Sequence, residues 1–243
     1  MKFKKNILII LSVNILLIIG TFGEEVFYYT VKFLFIPSLN LKMKISNSDS
    51  RCKKLEFYAS TNNFFDKIYK VDNYYECIYD RSSFLPEYRS KNIDQPKLKQ
   101  QIEAKYSSDR VYYSNDKTLA IQNKTFSFLS MLMYLRSIRE DAKMSQNINL
   151  EVEGKIYSAC IRKTGTENVQ FAGEKILTDI FEIDLELVDD HNSVLKDSDL
   201  FFENVVHPKG TRKVWIEQAA PHRILKAKFA IKNTWLLAIL KGG

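Results

Sequence analysis

Glycine is scarce in this chain, eight in 243 residues, and so are proline (five), cysteine (three), histidine (three) and tryptophan (two). Each shortage closes off a class of chemistry. So little glycine leaves no phosphate-cradling loop and no dinucleotide-binding turn, and nucleotide chemistry has no support. His191, His207 and His222 fall in predicted loops or turns, with no second histidine, no cysteine and no Gly-x-Ser-x-Gly elbow close by. They read as surface residues, so we expect no catalytic residue, no metal site and no cofactor. The odd cysteine count argues against a disulfide framework. Cys52 and Cys77 could pair if their strands are neighbours, with Cys160 left over; the alternative, small buried thiols, is slightly favoured.

Long apolar runs are also few. The first follows Lys2, Lys4 and Lys5, extends from Ile7 to Ile19, and ends on Thr21-Phe22-Gly23. A basic start, a short apolar core and small residues three and one positions before the proposed cut match a secretory signal peptide. Cleavage between Gly23 and Glu24 is expected, because thirteen residues fall short of the roughly 20 that a spanning helix needs. Removing three lysines and no acid lowers the formal charge from +7 to +4 and leaves one β-rich domain, residues 24–243. Acids and bases then alternate, as in Lys53-Lys54-Leu55-Glu56, with no arginine-rich stripe; a nucleic-acid partner is not expected. The address implied is outside the cytoplasm, with no stable transmembrane segment after cleavage.

The second run, Thr125 to Ile138, is apolar on most of its circumference: Phe126, Leu129 and Met133 form one stripe, and Phe128, Leu132 and Leu135 another. This predicts a helix over about 125–139, capped by Thr125 and covered on several sides. Arg136 and Arg139 would sit at the negative end of its dipole, although Arg136 could instead be a buried pairing residue. Elsewhere the period is two. Leu39, Leu41, Met43 and Ile45 alternate with polar residues, as do Leu98, Gln100, Ile102, Ala104 and Tyr106. Phe181, Ile183, Leu185 and Leu187 are expected to face inward, with Glu182, Asp184 and Glu186 outward. Asp199 to Val206 reads as a further strand, and Asn115-Asp116 as a hairpin turn. Roughly a dozen strands joined by short connections make an antiparallel sheet that must curl. The fold expected is mainly β, a large curved antiparallel sheet or incomplete barrel wrapped around one buried helix.

Several segments carry a family resemblance: Gly23-Glu24-Glu25-Val26-Phe27-Tyr28-Tyr29, Ala59-Ser60-Thr61 through Tyr69-Lys70-Val71, Phe84-Leu85-Pro86, Leu129-Ser130 to Tyr134-Leu135-Arg136, and Val214-Trp215-Ile216. Together they resemble the bacterial envelope family called domain of unknown function 3108. That resemblance implies an exported Gram-negative protein of the periplasm, mostly antiparallel β, with no established activity. One departure is Gln218-Ala219-Ala220-Pro221-His222-Arg223, where relatives carry an acidic turn and an Arg-Ile-Pro-like step, so this turn is expected to be built differently.

Tyr and Phe pairs such as Tyr28-Tyr29, Phe64-Phe65 and Phe201-Phe202 place one ring on each face of a strand. Ordinary packing accounts for most of them; some would supply rigid apolar area in a groove. The first functional expectation is therefore a non-enzymatic binder of an amphipathic envelope component, lipid or glycan, held between curved sheet and helix. The alternative is a structural or assembly factor that contacts another envelope protein through a strand edge. A hydrolase assembled from distant loops ranks last. An interior that stays open favours the first and a filled one the second.

Overall fold

Fifteen strands hydrogen-bond into one sheet in the computed structural model, which describes residues 23–138, 145–189, 194–195, 197–231 and 233–242. The strands are β1 (Glu25–Phe33), β2 (Ile36–Asn47), β3 (Cys52–Thr61), β4 (Asp72–Asp80), β5 (Pro86–Gln95), β6 (Leu98–Tyr106), β7 (Arg110–Tyr113) and β8 (Thr118–Ala120) in the first half. The second half supplies β9 (Thr125–Ser127), β10 (Ser145–Val152), β11 (Lys155–Phe171), β12 (Glu174–Asp189), β13 (Gly210–Glu217), β14 (Ile224–Ile231) and β15 (Thr234–Leu240). Helix α1 is Phe128–Ser137 and helix α2 is Leu200–Val206.

The strand order is β8-β7-β6-β5-β4-β3-β2-β1-β15-β14-β13-β12-β11-β10-β9, antiparallel throughout except for the β9–β10 pair. The two edge strands are therefore sequence neighbours. Ala120 ends β8 and Thr125 begins β9, and a five-residue step spans at most about 18 Å. The sheet must curl until its edges nearly meet. An inner face closed in this way needs filling, and α1 fills it: Met131 and Leu135 are fully buried, and Phe128, Leu129, Leu132 and Met133 nearly so.

The expected curved sheet around one buried helix is what the chain forms, with local corrections. Thr125 does not cap the helix. Thr125 to Ser127 pair in parallel with Asn149 to Glu151, so Phe126 lies on β9 and the helix starts later. Ser127 takes over as cap: its Oγ accepts from the Ser130 amide, and Ser130 Oγ accepts from the Ser127 amide, each at 3.1 Å. The strand expected over Asp199 to Val206 is α2 instead. Asp199 Oδ1 accepts from the amides of Phe201 (3.0 Å) and Phe202 (3.2 Å), which sets a helical first turn. Phe202 and Val205, three apart, then bury together. Leu187 is 44% exposed rather than inward, because β12 outruns the sheet's covered region there. β11 runs unbroken through Thr164-Gly165, with a register shift between Lys163 and Gly165.

Arg136 is the pairing residue rather than a free dipole cation. Its guanidinium lies 2.7 Å from Glu25 Oε2 and donates to the carbonyls of Pro221 and His222, each at 3.0 Å. The divergent 218–223 turn, with a cis Ala220–Pro221 bond, thus serves as the dock for the end of α1. Arg139 and His191 lie outside the described residues.

Candidate functional site

A cavity of about 150 Å³ remains between the sheet and the helices, and it is only partly enclosed. Leu39, Leu41 and Met43 of β2 face it, the residues that the alternation placed on the buried side. Tyr29 and Val31 of β1 and Phe57 and Ala59 of β3 continue the wall. Leu129 and Leu132 of α1 form the roof with Leu200 and Phe201 of α2. The void has an identifiable cause. Ala227 of β14 and Ala238 of β15 are direct cross-strand partners, and both line it. Two methyl groups stand where larger side chains would reach α1. Beside them the rings of Phe128, Phe201, Phe202 and Phe229 meet at centroid separations of 5.0 to 6.2 Å, which makes this wall stiff.

Polar atoms on this wall are few, and one of them is unmet. Tyr75 Oη donates its single proton to Asp199 Oδ1 at 3.0 Å. Burial, reinforced by the Asp199 charge, holds the Tyr75 hydroxyl well above the usual phenol range, so that proton stays in place. The phenol oxygen can then only accept, which obliges Asn73 to turn its amide NH2 toward it at 2.9 Å. Asn73 Oδ1 is left buried, without a hydrogen-bond partner, in a residue that lines the cavity and is 3% exposed.

Behind Tyr75 lies a buried ionic cluster that joins the two limbs of the curl. Arg89 of β5 grips Glu151 of β10 with Nη2 at 2.8 Å from Oε1 and Nε at 3.1 Å from Oε2. Tyr106 and Tyr113 donate to the same carboxylate, the latter at 2.8 Å, as does the Gly154 amide at 2.8 Å. Burial would raise the Glu151 carboxyl, but Arg89 and these donors outweigh it and hold the group below its ordinary value. Lys91 pairs with Glu153 and, at 3.2 Å, with Asp199. At Glu153 burial prevails over the attraction of Lys91 and Arg89, and Asp199 adds to it, so this carboxyl is raised. Asp199 both caps α2 and anchors it to β5. At the other end of α2, Arg212 donates to the carbonyls of Val205, His207 and Gly210. The helix that closes the cavity is held by a charge at each terminus.

The geometry separates the expected site residues. The cysteines Cys52, Cys77 and Cys160 are free thiols. Cys52 lies opposite Asp80 and Cys77 opposite Leu55, so the pair sits on neighbouring strands but on opposite faces. A Cys52–Cys77 bridge is therefore excluded by register. Burial pushes the Cys77 thiol up to about 12. Gly23 and Glu24 begin the described chain, both exposed, with Glu24 2.9 Å from Lys44 Nζ. Of the six residues expected to form the structural helix, Phe128, Leu129, Leu132, Met133 and Leu135 do so, whereas Phe126 supports them from β9. Sequence reasoning missed Asn73 and the Arg89, Lys91, Glu151, Glu153 and Asp199 cluster altogether. The one available signal was Asp199 followed by Phe202 and Val205 at helical spacing. Among the described residues, no three His, Cys, Asp or Glu side chains are placed to hold a metal ion.

A family described as protein of unknown function, DUF3108, matches residues 28–233. The chain belongs to the DUF3108 family. No curated relative matches it. The DUF3108 fold seen here is similar to the crystal structure of a beta-barrel-like protein of domain of unknown function DUF1849 from Brucella abortus, with a TM-score of 0.56 and 9% identity. That similarity covers 90% of this chain and 95% of the other, so it concerns the whole curled sheet and shows the fold alone.

Proposed function

We propose that this DUF3108 protein binds the apolar part of an amphipathic envelope component outside the cytoplasm and does not transform it. The observation that carries this reading is the partly open cavity under α1, walled mostly by hydrocarbon and bearing, among the described residues, one unmet acceptor, Asn73 Oδ1. An apolar void of about 150 Å³ accepts an object about the size of a benzene ring, well below the roughly 300–1,000 Å³ of pockets that engulf whole small molecules. The occupant is therefore the end or a short stretch of a chain, with the remainder outside. The apolar walls favour lipid over glycan, since a sugar would bury several hydroxyls here for one acceptor. Asn73 selects a ligand with an O–H or N–H donor near its buried portion, such as a hydroxylated or amide-linked acyl chain. Export is supported by the Lys2 to Gly23 pattern.

The assembly-factor reading has less to stand on. Both terminal strands, β8 and β9, are three residues long, and β9 is buried, so a partner strand would have to use residues 98–102 of β6 or 145–148 of β10, which β7 and β9 do not pair. Native mass spectrometry of protein purified from its own envelope tests the proposal. Wild type should carry a substoichiometric lipid mass, and Ala238→Leu, which fills the void, should remain folded and lose it. Absence of any lipid from folded wild type would overturn the reading.

A further inference from the structure

At one end of the curl, three connections meet, and two of them expose large apolar side chains. The β1–β2 turn presents Phe33, Phe35 and Ile36, which are 42%, 82% and 54% exposed, and the β3–β4 connection presents Phe64 and Ile68 at 66% and 65%. The third is the β14–β15 hairpin, which brings the half-buried Trp235 alongside them. These connections are fastened to one another rather than waving separately. Leu34 donates its amide to the Trp235 carbonyl at 2.9 Å, the Asn62 amide donates to the Ser38 carbonyl at 3.1 Å, and Asn62 Nδ2 donates to the Pro37 carbonyl at 2.6 Å. Phe35 packs edge-on against Trp235 with centroids 5.1 Å apart. The result is a fixed apolar platform.

Its position is specific. Val31 and Leu39 are cross-strand partners that line the cavity, and Phe33 lies two residues beyond Val31 on the same strand, paired with the cavity-lining Leu236. The platform is the outward continuation of the cavity wall at this end. Lys67 and Lys70 are exposed on the β3–β4 connection, Lys32 flanks Phe33, and Lys228 Nζ lies 5.5 Å from the Trp235 ring centroid. Against these four lysines stand Asp66, hydrogen-bonded to Thr61, and Asp72. Exposed Phe and Ile beside a half-buried Trp, flanked by lysine, are the chemistry of a bilayer interface: aromatic rings settle at headgroup depth while ammonium groups meet anionic phosphate.

We propose that this platform docks on the surface of an anionic lipid bilayer and thereby sets the cavity over its source of chains. The inference rests on the reading of the cavity as a lipid site for its purpose, but not for its physics. A second copy of the chain is the rival occupant, and the lysine excess disfavours it, since two such platforms would repel.

Sedimentation with vesicles of phosphatidylethanolamine and phosphatidylglycerol, read together with Trp fluorescence, tests the proposal. Trp235 should blue-shift on binding while buried Trp215 supplies a constant background. Binding should weaken with added salt and on pure phosphatidylcholine vesicles. Phe35→Ser with Phe64→Ser, both at exposed positions, should lower the melting temperature by no more than the loss of the ring contacts to Trp235 and Phe65 requires and reduce vesicle partitioning by about tenfold or more. Ala238→Leu should still bind vesicles. If wild type ignores these vesicles but carries co-purified lipid, the docking inference falls and the cavity reading stands; if it binds vesicles without ever carrying lipid, the reverse holds. Concentration-dependent dimers abolished by the double substitution, with no vesicle binding, would assign the platform to a second copy and overturn the inference.

Discussion

Arg89 and Glu151 stand ten places apart in the strand order, on β5 and β10, yet they form a two-pronged ion pair inside the protein. Such a contact exists only while the sheet is curled, so it reports closure as directly as any ladder bond. The same junction holds an apolar cluster of Ile102, Ala104, Val111, Tyr113 and Leu119 from β6–β8 against Ile156, Val194 and Leu195. Hydrocarbon alone would tolerate sliding at that junction. A bidentate pair with two tyrosine donors fixes one register.

Glu151→Gln should therefore cost about 3 to 5 kcal/mol in urea unfolding, because Arg89 is left buried beside a neutral amide. Replacing both partners, Arg89→Met with Glu151→Leu, should cost less than the single substitution, since neither charge then remains to be desolvated. Equal losses for single and double variants would show that the pair is not the closing contact.

The two neighbouring glutamates should shape the pH dependence in opposite senses. The folded value of Glu151 lies below its ordinary 4.5, so its stabilising contribution is fully present above that value and is lost as pH falls through the folded one. Glu153 is raised above 4.5 in the fold, so its contribution is present below 4.5 and is lost as pH rises through its folded value. Through these two groups, wild type should lose stability as pH falls below 4.5 and again as it rises through the folded value of Glu153. Glu153→Gln should flatten the limb above 4.5 and leave the acid limb unchanged in chemical denaturation across that range. An unaltered upper limb in Glu153→Gln would show that Glu153 does not titrate there.

The curl and its helical plug were legible because both rest on periodicity, which a single sequence displays. Phe181 and Ile183 alternate, Phe128, Leu132 and Leu135 recur at helical spacing, and burial follows. What was hidden depends on which strands meet across the interior. Nothing local distinguishes Arg89 and Lys91 from the solvent-facing charges of other strands; they are interior only because β5 is brought against β10. The cavity was hidden for a related reason. Ala227 and Ala238 are unremarkable until register places them opposite one another, and Asn73 is left with a spare acceptor only through the Tyr75 and Asp199 bonds. Thr125 has the polarity that suits a cap, but three residues of parallel pairing with β10 claim it first.

The cysteines give a simple chemical check. Register keeps Cys52 and Cys77 on opposite faces, so protein made in an oxidising compartment should carry no bridge between them. Folded protein should react slowly at Cys52 and Cys77, which are fully buried, and Cys77 should lag further because burial holds its thiol protonated. Unfolding should expose all three thiols to alkylation, counted by mass spectrometry. A mass shift corresponding to one intramolecular disulfide in native protein would contradict the register.

Helix α1 provides the sharpest contrast between plug and pocket. Leu135 is fully buried, whereas Leu132 is 8% exposed and already faces the void on one side. Truncating a side chain surrounded by neighbours loses contacts on every side and leaves a new hole, at about 2 to 5 kcal/mol for Leu→Ala. Leu135→Ala should fall near the top of that range. Leu132→Ala should fall near the bottom, since part of its surface has no partner to lose, and it should enlarge the cavity so that bulkier chains co-purify. Leu132→Asp is a different case: it places a carboxylate among hydrocarbon walls with only Asn73, Gln95 and two tyrosines as polar wall residues, and soluble expression should fail. Equal destabilisation by the two alanine substitutions would mean that the space beside Leu132 is closed in solution, and the binding proposal would lose its physical basis.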